Sequence, residues 1–370
     1  MFLKMSGEPK VSVVIPTWKR GDMLRRCLES LQRQSFLDFE VVLVSNGAGE
    51  WVEQVAREFQ CRLIRFGENR GFAAGVNAGI AASRSTYVAV LNDDVELDRA
   101  WLQQTTALLE ERQDVSFCCG KVFQAVWQAV GQAAGDTLDG AGDALSLGGS
   151  AWRLGYGRKD SPEFDVPRAL FAVSGTAALF RRCVLEQVGE FDEDFFSYLE
   201  DMDFSVRALR AGYRGLYLPG AVCRHWGGAT LGGPESATVF RLLTRNQLML
   251  LLKHYPWPLL LRMAPRIAWA QLLWLFMALR KMRPGAYLAG VAQFFQLLPR
   301  TLRKRRSWRN EEQRAFRAWL EESDASIYVD CSTRVRESRD TFWRMYFLLF
   351  PPRARAAAAS KPGLGRLPSR

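Results

Sequence analysis

Short apolar runs and longer segments with helical spacing alternate along the first half of the chain. The runs have the composition of buried strands and cover residues 11–16, 40–44, 62–66, 87–91 and 115–119. Between them, apolar residues recur at the spacing of helices that pack one face on a core. Strands that alternate with such helices form βαβ units. We therefore expect an α/β fold with a mainly parallel central sheet.

The pattern changes between residues 131 and 161, where glycine recurs every few residues and the helical period is lost. Loops of this length in compact domains are usually functional or disordered, so we expect a long loop that orders over a ligand. Residues 170–180 return to strand-like composition around Ser174-Gly175-Thr176. A helix is then predicted to begin near Tyr198 and to continue to Arg210, because apolar residues recur there at helical spacing.

Charge is divided unevenly along the chain. Residues 231–370 contain 25 Lys and Arg against 9 Asp and Glu, a net charge of +16, whereas residues 1–230 have a net charge of −5. This asymmetry indicates two parts with different roles. We predict one α/β domain over residues 1–232, a helical region over residues 233–350 and a flexible basic tail over residues 351–370.

The helical region contains apolar runs at residues 267–279 and 286–298, which are shorter than the roughly 20 residues that span a bilayer. With the basic run 300–309 and the aromatic segment 343–350, they are typical of a surface that attaches to an anionic membrane. One alternative is a helical subdomain whose basic face is only solvated. Another is a nucleic-acid-binding surface, which we disfavour because no recognised nucleic-acid module accompanies the charge.

The cysteines and the N-terminus predict the compartment. The seven cysteines form no CxxC pair, which fits free thiols in a reducing environment better than a disulfide framework or a zinc site. The first ten residues lack the long apolar core of a secretory signal. We therefore expect a cytoplasmic protein that is attached peripherally to the inner face of the cell membrane.

Two acidic clusters are candidates for chemistry. The apolar run 87–91 stops at Asn92-Asp93-Asp94, which suits either a hard divalent cation or a polar turn that ends a strand. In the second cluster, Asp203 and Arg207 are spaced for an i, i+4 ion pair. Asp201 fits either a helix N-terminal cap or a catalytic role.

Together these stretches resemble the family 2 glycosyltransferases, inverting enzymes of the GT-A fold that bind nucleotide sugars. The likeness is greatest to the bacterial rhamnosyltransferase-like branch that extends lipid-linked glycans. Five segments in the family's order carry the resemblance: VSVVIPTWKR (11–20), NRGFAAGVNAGI (69–80), LNDDVEL (91–97, in the place of the DXD motif), FDEDFFSYLEDMDF (191–204) and CRHWGG (223–228).

The resemblance implies roles for individual residues. It makes Asp201 the catalytic base and Asp94 and His225 the ligands of a Mg²⁺ or Mn²⁺ ion. Other positions would contact the donor or acceptor: Thr17, Ser45, Gly71, Phe72, Asn77, Asn92, Asp93, Gly175, Thr176, Glu200 and Trp226. Two of these depart from the family, since Ser45 replaces an aspartate that contacts the base and Asn92 replaces an acid found in some members.

The expected function is metal-dependent transfer of a sugar, from a dTDP-rhamnose-like or UDP-sugar-like donor, to a hydroxyl of a lipid-linked or polysaccharide acceptor in cell-surface glycan synthesis. One alternative is a nucleotidyltransferase, which would normally show a Gly-rich basic loop after the first strand. Residues 16–23 have only a weak version of that loop. The other alternative is a non-catalytic nucleotide-sugar-binding or scaffold protein.

Overall fold

The computed structural model describes residues 7–125, 135–227, 236–332 and 341–352. These residues divide into two compact units. Within the described ranges, the first unit comprises residues 7–142 and 155–227, and the second comprises residues 143–154 and 236–352.

These units differ from the predicted domains at one segment. Residues 143–154 were predicted as part of the first domain but belong to the second unit. The predicted boundary at residue 232 and the predicted tail from residue 353 onward lie outside the described residues.

A ten-stranded mixed sheet forms the centre of the first unit, and its strands are β1 (Val11–Thr17), β2 (Phe39–Asn46), β3 (Arg62–Phe66), β4 (Tyr87–Leu91), β5 (Val95–Leu97), β6 (Phe117–Gln124), β7 (Leu138–Gly140), β10 (Arg168–Leu170), β11 (Ala177–Arg181) and β12 (Gly215–His225). They lie in the order β10-β12-β6-β11-β4-β1-β2-β3, with β5 paired to β12 and β7 paired to β6. Strands β1, β2, β3 and β4 are parallel, as predicted.

Helices cover both faces of this sheet. Successive side chains of a strand point to opposite faces, and here both faces are apolar, so each must be buried. Val13 and Ile15 of β1 belong to an apolar cluster with α1, α2 and α4. Val14 belongs to a second cluster with α3, α5 and α6 on the other face. The helices are α1 (Gly21–Gln32), α2 (Trp51–Glu58), α3 (Phe72–Ala82), α4 (Trp101–Glu111), α5 (Arg182–Val188) and α6 (Glu200–Arg210).

Strand register brings the candidate site residues to one edge of the sheet. Thr17, at the end of β1, is opposite Ser45 at the end of the parallel strand β2. Ala177, at the start of the antiparallel strand β11, is opposite Leu91 at the end of β4. The segments that follow β1, β2 and β4 therefore lie at the same edge as the segment that precedes β11.

Two predictions for the middle of the chain were wrong in detail. Within residues 135–161, the predicted loop contains β7 and a hairpin of two further strands, while residues 131–134 lie outside the described part. The predicted strand at 170–180 is divided into β10 and β11, with Ser174-Gly175-Thr176 between them. The hairpin strands are β8 (Asp143–Leu145) and β9 (Ala151–Arg153).

The second unit consists of this hairpin and five helices within its described residues. Trp343, Tyr346 and Phe347 are buried in an apolar cluster with Ala270 and Leu273, so the predicted membrane contact of segment 343–350 was wrong for these three residues. No helix in the described residues is both long and apolar enough to span a bilayer. The helices are α7 (Ala237–His254), α8 (Trp257–Arg280), α9 (Pro284–Lys304), α10 (Asn310–Ser332) and α11 (Thr341–Leu349).

Candidate active site

The two predicted metal ligands meet at the edge of the sheet. Asp94 follows β4, and His225 is the last residue of β12, where it is opposite Val95 of β5. Both side chains are buried, and the Nε2 atom of His225 lies 3.2 Å from Oδ1 of Asp94. The amide Nδ2 of Asn92 lies 3.3 Å from the same ring nitrogen. Residues 133 positions apart in the sequence therefore converge on one point.

Asp139 of β7 fixes the ring of His225 from the other side. Its Oδ2 atom lies 2.8 Å from Nδ1 of His225, an arrangement in which Nδ1–H donates and Nε2 faces Asp94. Burial alone would lower the pKa of His225, but the charges and hydrogen bonds of Asp94 and Asp139 raise it to about 10. The two carboxylates thus stabilise positive charge at this ring, as a proton on Nε2 or as a cation bound there.

This donor set fits a divalent cation. A metal-binding histidine usually donates its other ring N–H to a carboxylate, which orients the ring as Asp139 does here. The described residues contain no cluster of three or more His, Cys, Asp or Glu side chains that could hold a metal by themselves. Asp94 and His225 would therefore share the ion with substrate oxygens, as is usual for Mg²⁺ bound to phosphates.

Asp93 has a different environment from its neighbour. Its Oδ2 atom accepts a 2.7 Å hydrogen bond from the Thr17 hydroxyl at the end of β1. Burial and the adjacent charge of Asp94 raise the pKa of Asp93 to about 7, although hydrogen bonds from Thr17 and the Trp18 N–H act in the opposite direction. Asp93 therefore ties the β4 edge to the loop after β1.

The predicted base, Asp201, is connected to the Asp94 region through Gly175 and Thr176, which precede β11. Its Oδ2 atom accepts a 2.8 Å hydrogen bond from the Gly175 N–H, and its Oδ1 atom accepts one from the Met202 N–H. The carbonyl oxygen of Thr176, the residue after Gly175, accepts a hydrogen bond from the backbone N–H of Asn92. One short chain of backbone contacts thus links Asp201 to the turn that carries Asp94.

The segment before α6 has an unusual backbone. Phe196, Tyr198 and Leu199 all have φ between 64° and 69°, a region that residues other than glycine seldom adopt. Such strain persists only where the surrounding structure enforces it, and it clusters at functional sites. This backbone conformation leads directly into the first turn of α6, which carries Glu200 and Asp201.

Glu200 is buried beside Asp201. Burial, followed by the charges of Asp201 and Asp203, raises the pKa of Glu200 well above its usual value. Its Oε2 atom has no hydrogen-bond partner among the described residues. A buried oxygen in this condition is costly unless a ligand or water satisfies it. By contrast, Asp203 forms the predicted ion pair with Arg207, at 2.9 Å.

Two residues of the 69–80 segment have structural reasons for their identity. A Cβ atom on Gly71 would lie 2.4 Å from the carbonyl oxygen of Phe196, so the packing of the chain itself requires glycine here. The predicted approach of Gly71 to the nucleotide stays a prediction. The Asn77 amide donates to the Phe191 carbonyl and accepts from the Phe191 N–H. Asn77 thus holds the segment that leads to Asp201, and its predicted substrate contact stays a prediction.

The other predicted contact residues are distributed around this edge. Ser45 is buried at the end of β2, and Phe72 packs on the apolar cluster beneath α3. The indole of Trp226 donates to Glu96 at 3.3 Å and lies near the Arg26 guanidinium. Their roles toward a substrate stay predictions.

Sequence reasoning missed two residues at this edge. Asp139 lies in the Gly-rich segment predicted to be a loop, 86 positions from the histidine that it contacts. Asn46, next to Ser45, accepts the Arg70 N–H and donates to the Gly71 carbonyl, which fixes the loop before α3. A polar residue at the end of a buried strand was the only sequence signal for Asn46.

Comparison with solved structures agrees with this architecture. A crystal structure of GalNAc-T7 with UDP, GalNAc and Mn²⁺ matches with a TM-score of 0.55 and 14% sequence identity, over 80% of this chain and 58% of that one. At this identity the likeness concerns the fold alone. The first unit has the α/β architecture of the GT-A fold, as predicted.

Sequence comparison establishes the family. The profile of "Glycosyl transferase family 2" matches residues 12–189, and that of "Glycosyl transferase family group 2" matches residues 158–298. The chain belongs to glycosyltransferase family 2, which confirms the resemblance drawn from its motifs.

Two curated relatives illustrate the similarity. N-acetylglucosaminyl-diphospho-decaprenol L-rhamnosyltransferase of Mycobacterium tuberculosis is 29% identical over 58% of this chain and 75% of its own length. The O-antigen biosynthesis protein RfbC of Myxococcus xanthus is 28% identical over 56% of this chain. The chain spans only 16% of RfbC and 27% of a further relative, the uncharacterized protein y4gI of Sinorhizobium fredii.

Proposed function

We propose that the chain transfers a sugar from a nucleotide diphosphate donor to a hydroxyl of a lipid-linked or polysaccharide acceptor in glycan synthesis. The observation that carries this proposal is the connection between the two halves of the site. The Asp94 and His225 pair and the Asp201 carboxylate lie at one edge of a single sheet, joined through Asn92, Thr176 and Gly175. The first half suits a diphosphate leaving group, and the second suits an incoming hydroxyl.

Asp94 and His225 would hold a divalent cation, Mg²⁺ or Mn²⁺. When bound, the cation supplies positive charge to the diphosphate as the bond to the sugar breaks. Asp139 keeps Nε2 of His225 directed toward Asp94. Asp93, held by the Thr17 hydroxyl, fixes the loop after β1 beside this position.

Asp201 would accept the proton of the acceptor hydroxyl. Hydrogen bonds from the Gly175 and Met202 N–H groups favour the ionised carboxylate and fix its orientation. Its side chain is only half-buried, so a substrate can approach it. Glu200, whose pKa burial and the charge of Asp201 raise well above its usual value, would offer its unpartnered Oε2 atom to the same substrate. One base opposite a separate leaving-group site supports a single displacement.

The relatives support a choice of substrate class. The mycobacterial relative is named for rhamnosyl transfer to a sugar on a diphospho-decaprenol lipid, and this chain covers 75% of its length. The relative RfbC is named for O-antigen biosynthesis. We therefore propose a rhamnose-type donor and a lipid-linked acceptor first, with UDP sugars as the second donor class.

A thermal-shift screen with nucleotide sugars tests donor binding. We expect dTDP-rhamnose or a UDP sugar to raise the unfolding temperature of the full-length protein when Mn²⁺ or Mg²⁺ is present, and to do so less after chelation. A ligand at 100 times its dissociation constant stabilises by about 2.7 kcal/mol, which is readily measured. The proposal fails if no nucleotide sugar in the panel shifts the transition with either metal.

The orienting role of Asp139 leads to a separate prediction. Asp139→Asn keeps the size of the side chain but removes the charge that favours the required orientation of His225. Loss of such a partner typically reduces metal affinity by about 10–100-fold. We expect a reduction of this size in Mn²⁺ affinity, measured by titration calorimetry with the nucleoside diphosphate present.

The matched control is Asp114→Asn, which alters an exposed aspartate paired with Arg112. It should leave Mn²⁺ affinity unchanged. Equal affinities in the Asp139→Asn and wild-type proteins would show that Asp139 does not act on the metal site.

A further inference from the structure

Helix α8 presents an apolar stripe to solvent. Leu272 is 57% exposed, and it belongs to a set of exposed positions that recur every three or four residues and therefore share one face. Arg262, beside the first of them, is also exposed. The opposite face is buried through Ala270, Leu273 and Ala278. All members of the outward stripe are apolar: Leu261, Pro265, Ala268, Leu272, Phe276 and Leu279.

Helix α9 repeats the arrangement and contacts α8. Leu288 and Phe295 are 63% and 62% exposed. The inner face packs on α7, where a Cβ atom on Gly290 would lie 2.8 Å from the Cβ atom of Thr244. The outward stripe contains Leu288, Ala292, Phe295, Pro299 and Leu302.

These stripes concentrate the exposed apolar surface in one unit. Among large apolar side chains that are exposed in the described residues, only Leu37 belongs to the first unit. Large contiguous apolar surface on a folded protein usually marks a site for a protein partner or a membrane. The charge around the stripes distinguishes between these two occupants.

Residues 236–310, which include both helices, contain 14 Lys and Arg and no Asp or Glu. Arg280 follows Leu279 at the end of the α8 stripe, and Arg303 follows Leu302 at the end of the α9 stripe. A second copy docked on this face would bring two sets of cations together. An anionic lipid surface complements both the charge and the apolar stripes.

We propose that the outward stripes of α8 and α9, with the basic residues that follow them, form a surface that inserts into the interface of an anionic membrane. The apolar side chains enter the acyl boundary, while arginine and lysine contact the lipid headgroups. The proposal goes beyond the sugar-transfer reaction and does not depend on it. It identifies the surface by which the chain would reach a lipid-linked acceptor.

The structure also separates the basic residues that support the fold from those available to lipid. Arg305 donates hydrogen bonds to the Leu252 and Tyr255 carbonyls, and its guanidinium lies 4.2 Å from the centre of the Trp257 ring. Arg305 thus holds the chain after α9 against the end of α7. Arg303 and Arg306 are exposed and are better choices for testing lipid contact.

Co-sedimentation of the full-length protein with vesicles, in the absence of any nucleotide sugar, tests the proposal. We expect binding to phosphatidylcholine vesicles that contain phosphatidylglycerol, release at high salt, and weaker binding to phosphatidylcholine alone. The stripe variant Leu272→Gln, Phe276→Gln, Leu288→Gln, Phe295→Gln should lose binding to both vesicle types. Leu37→Gln, an exposed leucine of the first unit, is the control and should bind as the wild type.

A charge variant gives a second and independent measurement. Arg280→Gln, Arg303→Gln, Arg306→Gln should bind anionic vesicles about 100-fold more weakly, because each cation near such a surface contributes about fivefold. The matched variant Arg33→Gln, Arg84→Gln, Arg99→Gln removes three exposed arginines of the first unit and should bind normally.

Three outcomes would overturn the proposal. The first is unchanged vesicle binding in folded stripe and charge variants. The second is equal loss of binding in the matched variants. The third is a wild-type dimer that the stripe variant converts to monomer by light scattering, with no vesicle binding in either protein, which would assign the face to a second copy of the chain.

Discussion

Asp201→Asn is expected to reduce sugar transfer by about 10²–10⁴-fold, the usual contribution of a general base. An amide cannot accept the proton of the acceptor hydroxyl at neutral pH. Donor affinity should stay near the wild-type value, because Asp201 contacts Gly175 and Met202 rather than the proposed cation ligands. Nucleoside diphosphate release measures turnover, and titration calorimetry measures donor affinity.

The asparagine also alters a structural contact, so this prediction needs controls. Both carboxylate oxygens of Asp201 accept a hydrogen bond from a backbone N–H. Asparagine keeps one acceptor oxygen, but its NH₂ group cannot accept, so one of the two hydrogen bonds is lost. Thermal unfolding will show whether the variant is folded. Glu190→Gln, an exposed acid before the same segment, should transfer normally. Wild-type turnover in Asp201→Asn would remove Asp201 as the base.

Asp94→Ala and His225→Ala are expected to weaken metal-dependent donor binding more than Asp139→Asn does. The first two remove proposed ligand atoms, whereas the third removes only the partner that orients the ring. Because Asp94 and His225 would hold one ion, the effects of the two substitutions should not add in the double variant. Excess Mn²⁺ should partly restore binding to His225→Ala, since Asp94 is retained.

Calorimetric titrations of nucleoside diphosphate with and without Mn²⁺ measure this series. Asp114→Asn is again the control. If donor affinity and its dependence on Mn²⁺ are unchanged in both Asp94→Ala and His225→Ala, the metal site lies elsewhere in the chain.

Some elements were predicted from the sequence to within a residue. Strands β3 and β4 have the predicted bounds and β1 ends one residue later than predicted, because short apolar runs fix them locally. Strand β6, predicted at residues 115–119, instead covers Phe117–Gln124. The division of β10 from β11 was missed. Their composition is continuous through residues 170–180, and the Gly175 N–H within the break donates to Asp201, a long-range contact that no local pattern encodes.

The candidate site was only partly predictable, because some of its residues are brought together by long-range contacts and not by a local pattern. Asp94, His225 and Asp201 lie in motifs that the family resemblance identifies. Asp139 was missed because it lies in a Gly-rich segment without a local pattern, and only the pairing of β7 with β6 brings it to His225. The packing that requires glycine at position 71 was also missed, since the close approach of Phe196 is a long-range contact that no local pattern encodes.

Metal-dependent transfer with Asp201 as base is best tested by nucleoside diphosphate release from the donor identified in the screen, with acceptor lipid present and divalent metal titrated. Release should rise to saturation with Mn²⁺ or Mg²⁺, stop after chelation, and fall by at least about 10²-fold in Asp201→Asn. Release that is unaffected by chelation, or that continues at the wild-type rate in Asp201→Asn, would contradict this mechanism.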